Sequence, residues 1–262
     1  MRIHPSAIVD PAAQLGREVE IGPGAVIGGE VVIGDHTVVQ AHTVIEGAVR
    51  IGRENLIGYG AIVGAQPQDL SFKRETRSSV TIGDRNVIRE YCTIHRGTAE
   101  GSATTIGDGN FLMVGVHLGH NCRLGNGVII ANNSLLAGYV QIDDGAFVAG
   151  GARFHQFIHI GRLALAEGRY SKNLPPFLSA AREAVFGINV VGMRRAGLSS
   201  AERDEIKRAF KLLYRSGLNI KQALAAAAEA EFGPIGREFF EFVAKAGKRG
   251  IVAYGARFEA ED

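Results

Sequence analysis

The chain has no tryptophan and only two cysteines among 262 residues. Cys92 and Cys122 have no paired spacing, which excludes a disulfide framework and a tetrathiolate zinc site. Both are expected to be reduced and packed as small hydrophobes. Long apolar runs are also missing: no window approaches the roughly 18 residues needed to cross a bilayer, so no integral membrane segment is expected. The opening MRIHPSAIVDPAAQ lacks the basic stretch, apolar core and small-residue cleavage site of a signal peptide, and a cytoplasmic location is the default expectation. Nor is there an excess of one charge. Lys and Arg number 29 against 27 Asp and Glu, and no dense basic run alternates with aromatics, so nucleic acid is not an expected partner. With 46% hydrophobic residues, the chain can still bury a sizeable core.

Glycine, by contrast, is abundant at 35 residues, and it falls within a repeat. Stepping by six from Ile3 meets Val9, Leu15, Ile21, Ile27, Ile33, Val39, Ile45, Ile51, Ile57 and Val63, often followed by Gly. A polar excursion, QPQDLSFKRETRSSVT, interrupts the series, which restarts at Ile82, Ile88 and Ile94. A second, around GTAEGSAT, spans two steps without shifting the phase, and the series then runs from Ile106 to Ile160. One inward aliphatic per six residues is the signature of a parallel β-helix with triangular coils. Each coil takes about 18 residues and stacks on the next at about 4.8 Å, so residues 18 apart lie above one another.

Near Pro175 and Pro176 the six-residue pattern stops, and the proline pair is expected to end strand pairing. Beyond it, Ser199 and Glu202 form a capping-box pattern ahead of Ile206, Phe210 and Leu213 at helical spacing, with Gly217 as a stop. An alanine-rich segment from Asn219 and GPIGREFFEFVAKAG predict two further helices. The expected organisation is an all-β solenoid at 1–176 followed by a C-terminal α-helical domain at 177–262, which caps the open end of the coil.

The repeat gives the histidines of VGVHLGHNCRLGNG a place. Leu118 points inward, so His117 and His120 lie outside the core. His120, Gly138 and Gln156 are 18 apart and form a column. A backbone N–H at Gly138 could then lie beside the His120 imidazole, pairing a general base with a donor for a tetrahedral oxyanion, as acyl transfer needs. A solvated surface histidine is the competing reading. So is a zinc site using His117, His120 and either His95 or His155, although residues i and i+3 on a flat strand face opposite sides.

The motifs IHRGT (94–98), HLGHNC (117–122), IIANNSLLAG (129–138) and FHQF (154–157), with PQDL (67–70), GINVVGMRRAG (187–197) and LLYRSG (212–217), resemble the cytoplasmic UDP-N-acetylglucosamine O-acyltransferases that begin lipid A synthesis. The resemblance covers essentially the whole chain. It implies a homotrimer of left-handed β-helices that moves an (R)-3-hydroxyacyl chain from acyl carrier protein to the 3-hydroxyl of a UDP-sugar acceptor, with no cofactor and no metal. It makes His120 the general base, Gly138 the oxyanion-hole amide and Asn121 the residue beside the base. Gln68 and Asp69 then contact the sugar, His117, His155 and Gln156 line the groove, Asn189 and Arg195 meet the nucleotide and its diphosphate, and Gly168 governs acyl length. A turn glycine is the competing reading of Gly168.

The chain also departs from the family's pattern. Asn121 stands where an acidic residue is usual, Tyr139 where histidine is common, Val191 where a glutamate is expected and Ala196 where a second arginine occurs. An amide can orient an imidazole but cannot stabilise the imidazolium as a carboxylate does. These departures leave open an N-acyltransferase acting on a 3-amino nucleotide sugar, since an amine is the better nucleophile. A trimeric zinc hydratase and a non-catalytic scaffold are the remaining alternatives. Lys207, Arg208, Lys211 and Arg215 suit either an acidic carrier protein or a solvated helix face.

Overall fold

A computed structural model gives the structure of residues 1–255; the last seven residues of the segment expected to be helical lie outside the described residues. The fold is the left-handed parallel β-helix with C-terminal helices. Short strands pair in parallel at an 18-residue register, Arg2 on Glu20, Glu20 on Val38 and Val38 on Leu56. Three faces result, of twelve, nine and eight strands among the described residues. The repeat aliphatics point inward, and Ile27, Ile45, Ile57, Ile88, Ile94, Leu112 and Leu118 are fully buried. Cys92 and Cys122 pack among them as free thiols, pushed up to about 11 and about 12 by burial.

The outward positions separate the faces. On the first face Leu56, Val87, Phe111, Ile129, Phe147 and Leu165 stack in register into an apolar stripe. On the third, Thr105, Arg123, Gln141 and His159 occupy the equivalent column. Alternation along a strand then buries one set of side chains in the coil and leaves the other for solvent or a partner.

The two excursions change the register from 18 to 31 and 24 residues. A ladder of buried amides crosses both. Asn55 Oδ1 accepts from the N–H and Nδ2 of Asn86, Asn86 Oδ1 accepts from the same groups of Asn110, and Asn110 Oδ1 accepts from Val128 N–H. Each oxygen satisfies donors on the next coil, which a slipped register would leave unpaired inside the core.

Past residue 170 the structure departs from expectation. The prolines do not end strand pairing: both are buried, and Leu178–Ala181 lies parallel on Leu165–Glu167, extending the first face. Pro175 and Pro176 precede the strand, where their missing N–H groups cost no ladder bond. Ala184–Ile188 then returns antiparallel. A short helix that periodicity did not reveal, α1 (Val190–Arg195), follows. The three expected helices are α2 (Ser200–Tyr214), α3 (Ile220–Glu229) and α4 (Pro234–Lys245). Ser199 with Glu202 and Asn219 with Gln222 each form a complete capping box. Arg162 reaches from the coil to Glu238 of α4 through two 2.8 Å bonds, a bidentate tie between coil and helices.

Candidate active site

His120 sits at the corner between the second and third faces, where the chain turns after His117–Leu118. The next residue at this corner is left-handed in three successive coils: Asn121 (φ 60°), Tyr139 (φ 61°) and Phe157 (φ 65°). Bulky residues adopt this region at a cost of order 1–3 kcal/mol each. The corner is held by a ladder, with Tyr139 N–H donating to His120 O and Phe157 N–H to Gly138 O. The Tyr139 and Phe157 rings stack at 4.7 Å, and Tyr139 meets the His120 ring edge-on at 5.2 Å.

The column of His120, Gly138 and Gln156 forms as the repeat requires. A Cβ added at Gly138 would fall 2.3 Å from His120 Cε1 and 2.4 Å from Nε2, so the imidazole occupies the space a side chain would fill. The flanking amides are engaged, Ala137 N–H on Phe154 O and Tyr139 N–H on His120 O, whereas Gly138 N–H donates to no backbone carbonyl among the described residues. Gly119 matters here as well, because a Cβ there would lie 2.9 Å from Gly138 N. His120 is not the solvated surface histidine of the competing reading; only 8% of it is exposed.

The hydrogen bonds around Asn121 fix which ring nitrogen carries the proton. Thr98 N–H can only donate, and it points at the Asn121 side chain at 3.1 Å, so the atom facing it is Oδ1. The same oxygen lies 3.0 Å from His120 Nδ1, which must therefore be the protonated nitrogen. Nε2 is left with its lone pair, on the side of Gly138. Thr98 Oγ1 also donates to Asn121 Oδ1 and meets Tyr139 Oη at 3.2 Å.

His120 and Gly138 open on a cavity of about 280 Å³ lined also by Gln68, His95, His117 and Gln156. His117 is pushed down to about 4, chiefly by burial and then by His95, whose ring lies 5.2 Å away. It is neutral near pH 7 and bonded through Nδ1 to Thr93 Oγ1 at 2.8 Å. Asp69 is held below the usual carboxylate range by the hydroxyl and N–H of Ser71, with a smaller contribution from the positive form of His120. An ionised carboxylate thus stands within electrostatic reach of His120, although Asn121 itself carries no charge.

Other predicted site residues are placed elsewhere. His155 is exposed and does not line this cavity. Asn189 is 7% exposed, and both ends of its amide are engaged: Oδ1 caps α1 through Gly192 N–H, and Nδ2 donates to Leu163 O. Arg195 is exposed in the last turn of α1. Gly168 has φ +88° and an added Cβ would sit 3.3 Å from Arg182 N, as a turn glycine requires. Within one subunit, no group of three or more His, Cys, Asp or Glu side chains is placed to hold a metal among the described residues, so this chain alone does not assemble the zinc arrangement. Thr98 and Gly119 went unrecognised in the sequence as site residues. Gly119 carries a signal in HLGH, next to His120 and one coil below Ala137; Thr98 lies within the second excursion, which hides its height in the stack.

Residues 174–252 match the model for domain 2 of the UDP-N-acetylglucosamine O-acyltransferases, and residues 103–138 match the bacterial transferase hexapeptide repeats. An acyl-(acyl-carrier-protein)–UDP-N-acetylglucosamine O-acyltransferase from Burkholderia orbicola is 46% identical over 261 residues, covering 96% of this chain and 99% of that one. The chain belongs to the UDP-N-acetylglucosamine O-acyltransferase family. Among solved structures, the UDP-N-acetylglucosamine acyltransferase of Bacteroides fragilis is similar at a TM-score of 0.91 and 42% identity, covering 95% of this chain and 99% of that one. That of Francisella novicida gives 0.92 and 36%, covering 96% and 94%. Family members thus share the coil and its helical end.

Proposed function

We propose that this chain transfers an (R)-3-hydroxyacyl group from the thioester of acyl carrier protein to the 3-hydroxyl of UDP-N-acetylglucosamine, the opening step of lipid A synthesis. The observation that carries the reading is the 18-residue register that sets His120 Nε2 beside Gly138, whose N–H donates to no backbone carbonyl among the described residues. Nε2 takes the proton of the sugar hydroxyl as its oxygen attacks the thioester carbonyl. Gly138 N–H donates to the oxyanion, a contact of a kind that contributes about 3 kcal/mol to the transition state. The tetrahedral adduct collapses, the C–S bond breaks, and the imidazolium returns its proton to the departing thiolate. A base so placed contributes about 10²- to 10⁴-fold.

In this reading Asn121 fixes the tautomer, Asp69 offsets the charge that develops on His120, and Gln68, His117 and Gln156 line the acceptor cavity. His155, Asn189, Arg195 and Gly168 meet substrate only if a second subunit completes the groove or, for Gly168, the far end of the acyl chain reaches it. The apolar stripe on the first face supports such a homotrimer, since a stripe of that length is ordinarily covered. No described helix is long and apolar enough to cross a membrane, in keeping with a cytoplasmic enzyme.

The test is mass spectrometry of the product formed from UDP-N-acetylglucosamine and a ladder of (R)-3-hydroxyacyl carrier proteins, by wild type and by His120→Ala. An alkali-labile ester that disappears in the variant is expected. Wild-type protein that forms no acylated sugar would overturn the reading. Asn121 favours one second reading, the 3-amino sugar: an amine attacks with less help from a base whose neighbour is uncharged. An alkali-stable amide, formed from the amino sugar in preference to the ester, decides for it.

A further inference from the structure

The excursion that carries Gln68 and Asp69 has a second side. Its later half, Arg74 to Ser79, closes against Gly47 and Ala48 around another cavity, of about 580 Å³, which Arg96 also lines. The two cavities are neighbours along the chain, because His95 faces the first and Arg96 the second.

Two of the residues that line this second cavity, Ser78 and Arg96, carry the buried side-chain polar atoms that lack a hydrogen-bond partner among the described residues, Ser78 Oγ and Arg96 Nε. Ser78 is 6% exposed. Arg96 is braced over the Phe72 ring, 5.4 Å from its centroid. No carboxylate forms an ion pair with Arg74, Arg77 or Arg96 among the described residues, even though Glu30 and Glu75 are on the same wall. Glu100 is committed to the N–H of Arg77. Buried donors are almost always paired in folded proteins, and an unpaired one calls for a specific cause, of which a bound water, ion or ligand is one.

We infer that this cavity is a binding site for the phosphate group of a small molecule, with Arg96 Nε–H and Ser78 Oγ–H as inner donors and Arg74 and Arg77 at its mouth. Guanidinium N–H groups match phosphate oxygens in geometry as well as charge. The volume exceeds what a bare phosphate fills and falls in the range of small-molecule sites, so the phosphate belongs to a larger molecule. Glu30 and Glu75 supply acceptors for its hydroxyls.

Calorimetric titration of the full-length protein with inorganic pyrophosphate tests this. One site per chain is expected, weakened at least tenfold in Arg96→Gln and also weakened in Ser78→Ala. Since Ser78→Ala removes only an unpaired hydroxyl, it is expected to fold and to lose the rise in unfolding temperature that pyrophosphate gives the wild type. Absence of binding, or binding that neither substitution weakens, overturns the inference. Repeating the titration with saturating UDP-N-acetylglucosamine separates two sources of the phosphate. Competition assigns it to the diphosphate of the acceptor, an arm that rests on the acyl-transfer reading; unchanged binding assigns it to a separate phosphate-bearing molecule.

Discussion

Gly138→Ala places a methyl group where the reaction is proposed to occur. Its Cβ would fall 2.3 Å from His120 Cε1, 2.4 Å from Nε2 and 2.9 Å from Nδ1. Ordinary carbon contacts begin near 3.5 Å, so the ring must retreat by about 1 Å. Retreat pulls Nδ1 off Asn121 or carries Nε2 away from the acceptor, and a displacement of that size costs about 10²-fold in a positioned reaction. With the methyl also crowding the oxyanion position, kcat is expected to fall by about 10²- to 10⁴-fold, or about 3–5 kcal/mol of barrier. Stability is expected to change far less, because the backbone at Gly138 is not left-handed and the obstructing group is a ring that can swing. Gly150→Ala is the control: its added Cβ would meet nothing closer than Asn132 O at 3.5 Å. The assay is kcat and KM for acylated sugar formation, with thermal unfolding of each variant alongside. A Gly138→Ala enzyme that keeps kcat within about tenfold of wild type would refute the placement of base and amide.

Asn121→Asp is expected to keep the bonds from Thr98 and His120 while adding a negative charge, which favours the imidazolium and raises the pKa of the base. The acidic limb of the kcat/KM profile should move to higher pH, and a limb that stays or moves down contradicts the proposed contact. His117 gives a pH dependence of stability. Its folded pKa of about 4 lies below the ordinary 6.5, so the unfolded chain binds the extra proton between those values. Stability from this group is complete above about pH 6.5 and is lost as pH falls towards 4. His117→Gln should flatten that part of a urea-midpoint profile taken at fixed protein concentration, and an unchanged slope would remove His117 as its source.

The coil was legible because its rule is local. An inward aliphatic every six residues fixes the interior, and a fixed 18-residue turn converts sequence spacing into height, so spacing alone stacks His120, Gly138 and Gln156. The excursions broke that conversion. Thr98 lies 23 residues from Asn121 in sequence, and no spacing rule predicts that they touch. Ser78 and Arg96 were hidden for the same reason. The strand at Leu178–Ala181 was missed because prolines weigh against pairing, yet these two precede the strand rather than interrupt it. Helix α1 is only six residues long, too short to display a period. Asn189 drew attention as part of a motif, and its cap geometry depends on Leu163, 26 residues earlier.

The amide ladder through Asn55, Asn86 and Asn110 has a bearing on how such an enzyme can diversify. Because it locks each coil to the next on the far side of an insertion, the excursions hang from a frame whose height does not depend on their length. Residues can enter or leave the two loops without moving His120 relative to Gly138, which belong to coils above both. Loop length and chemistry are therefore separately inheritable traits: a lineage can exchange what it recognises while its reacting atoms keep their spacing.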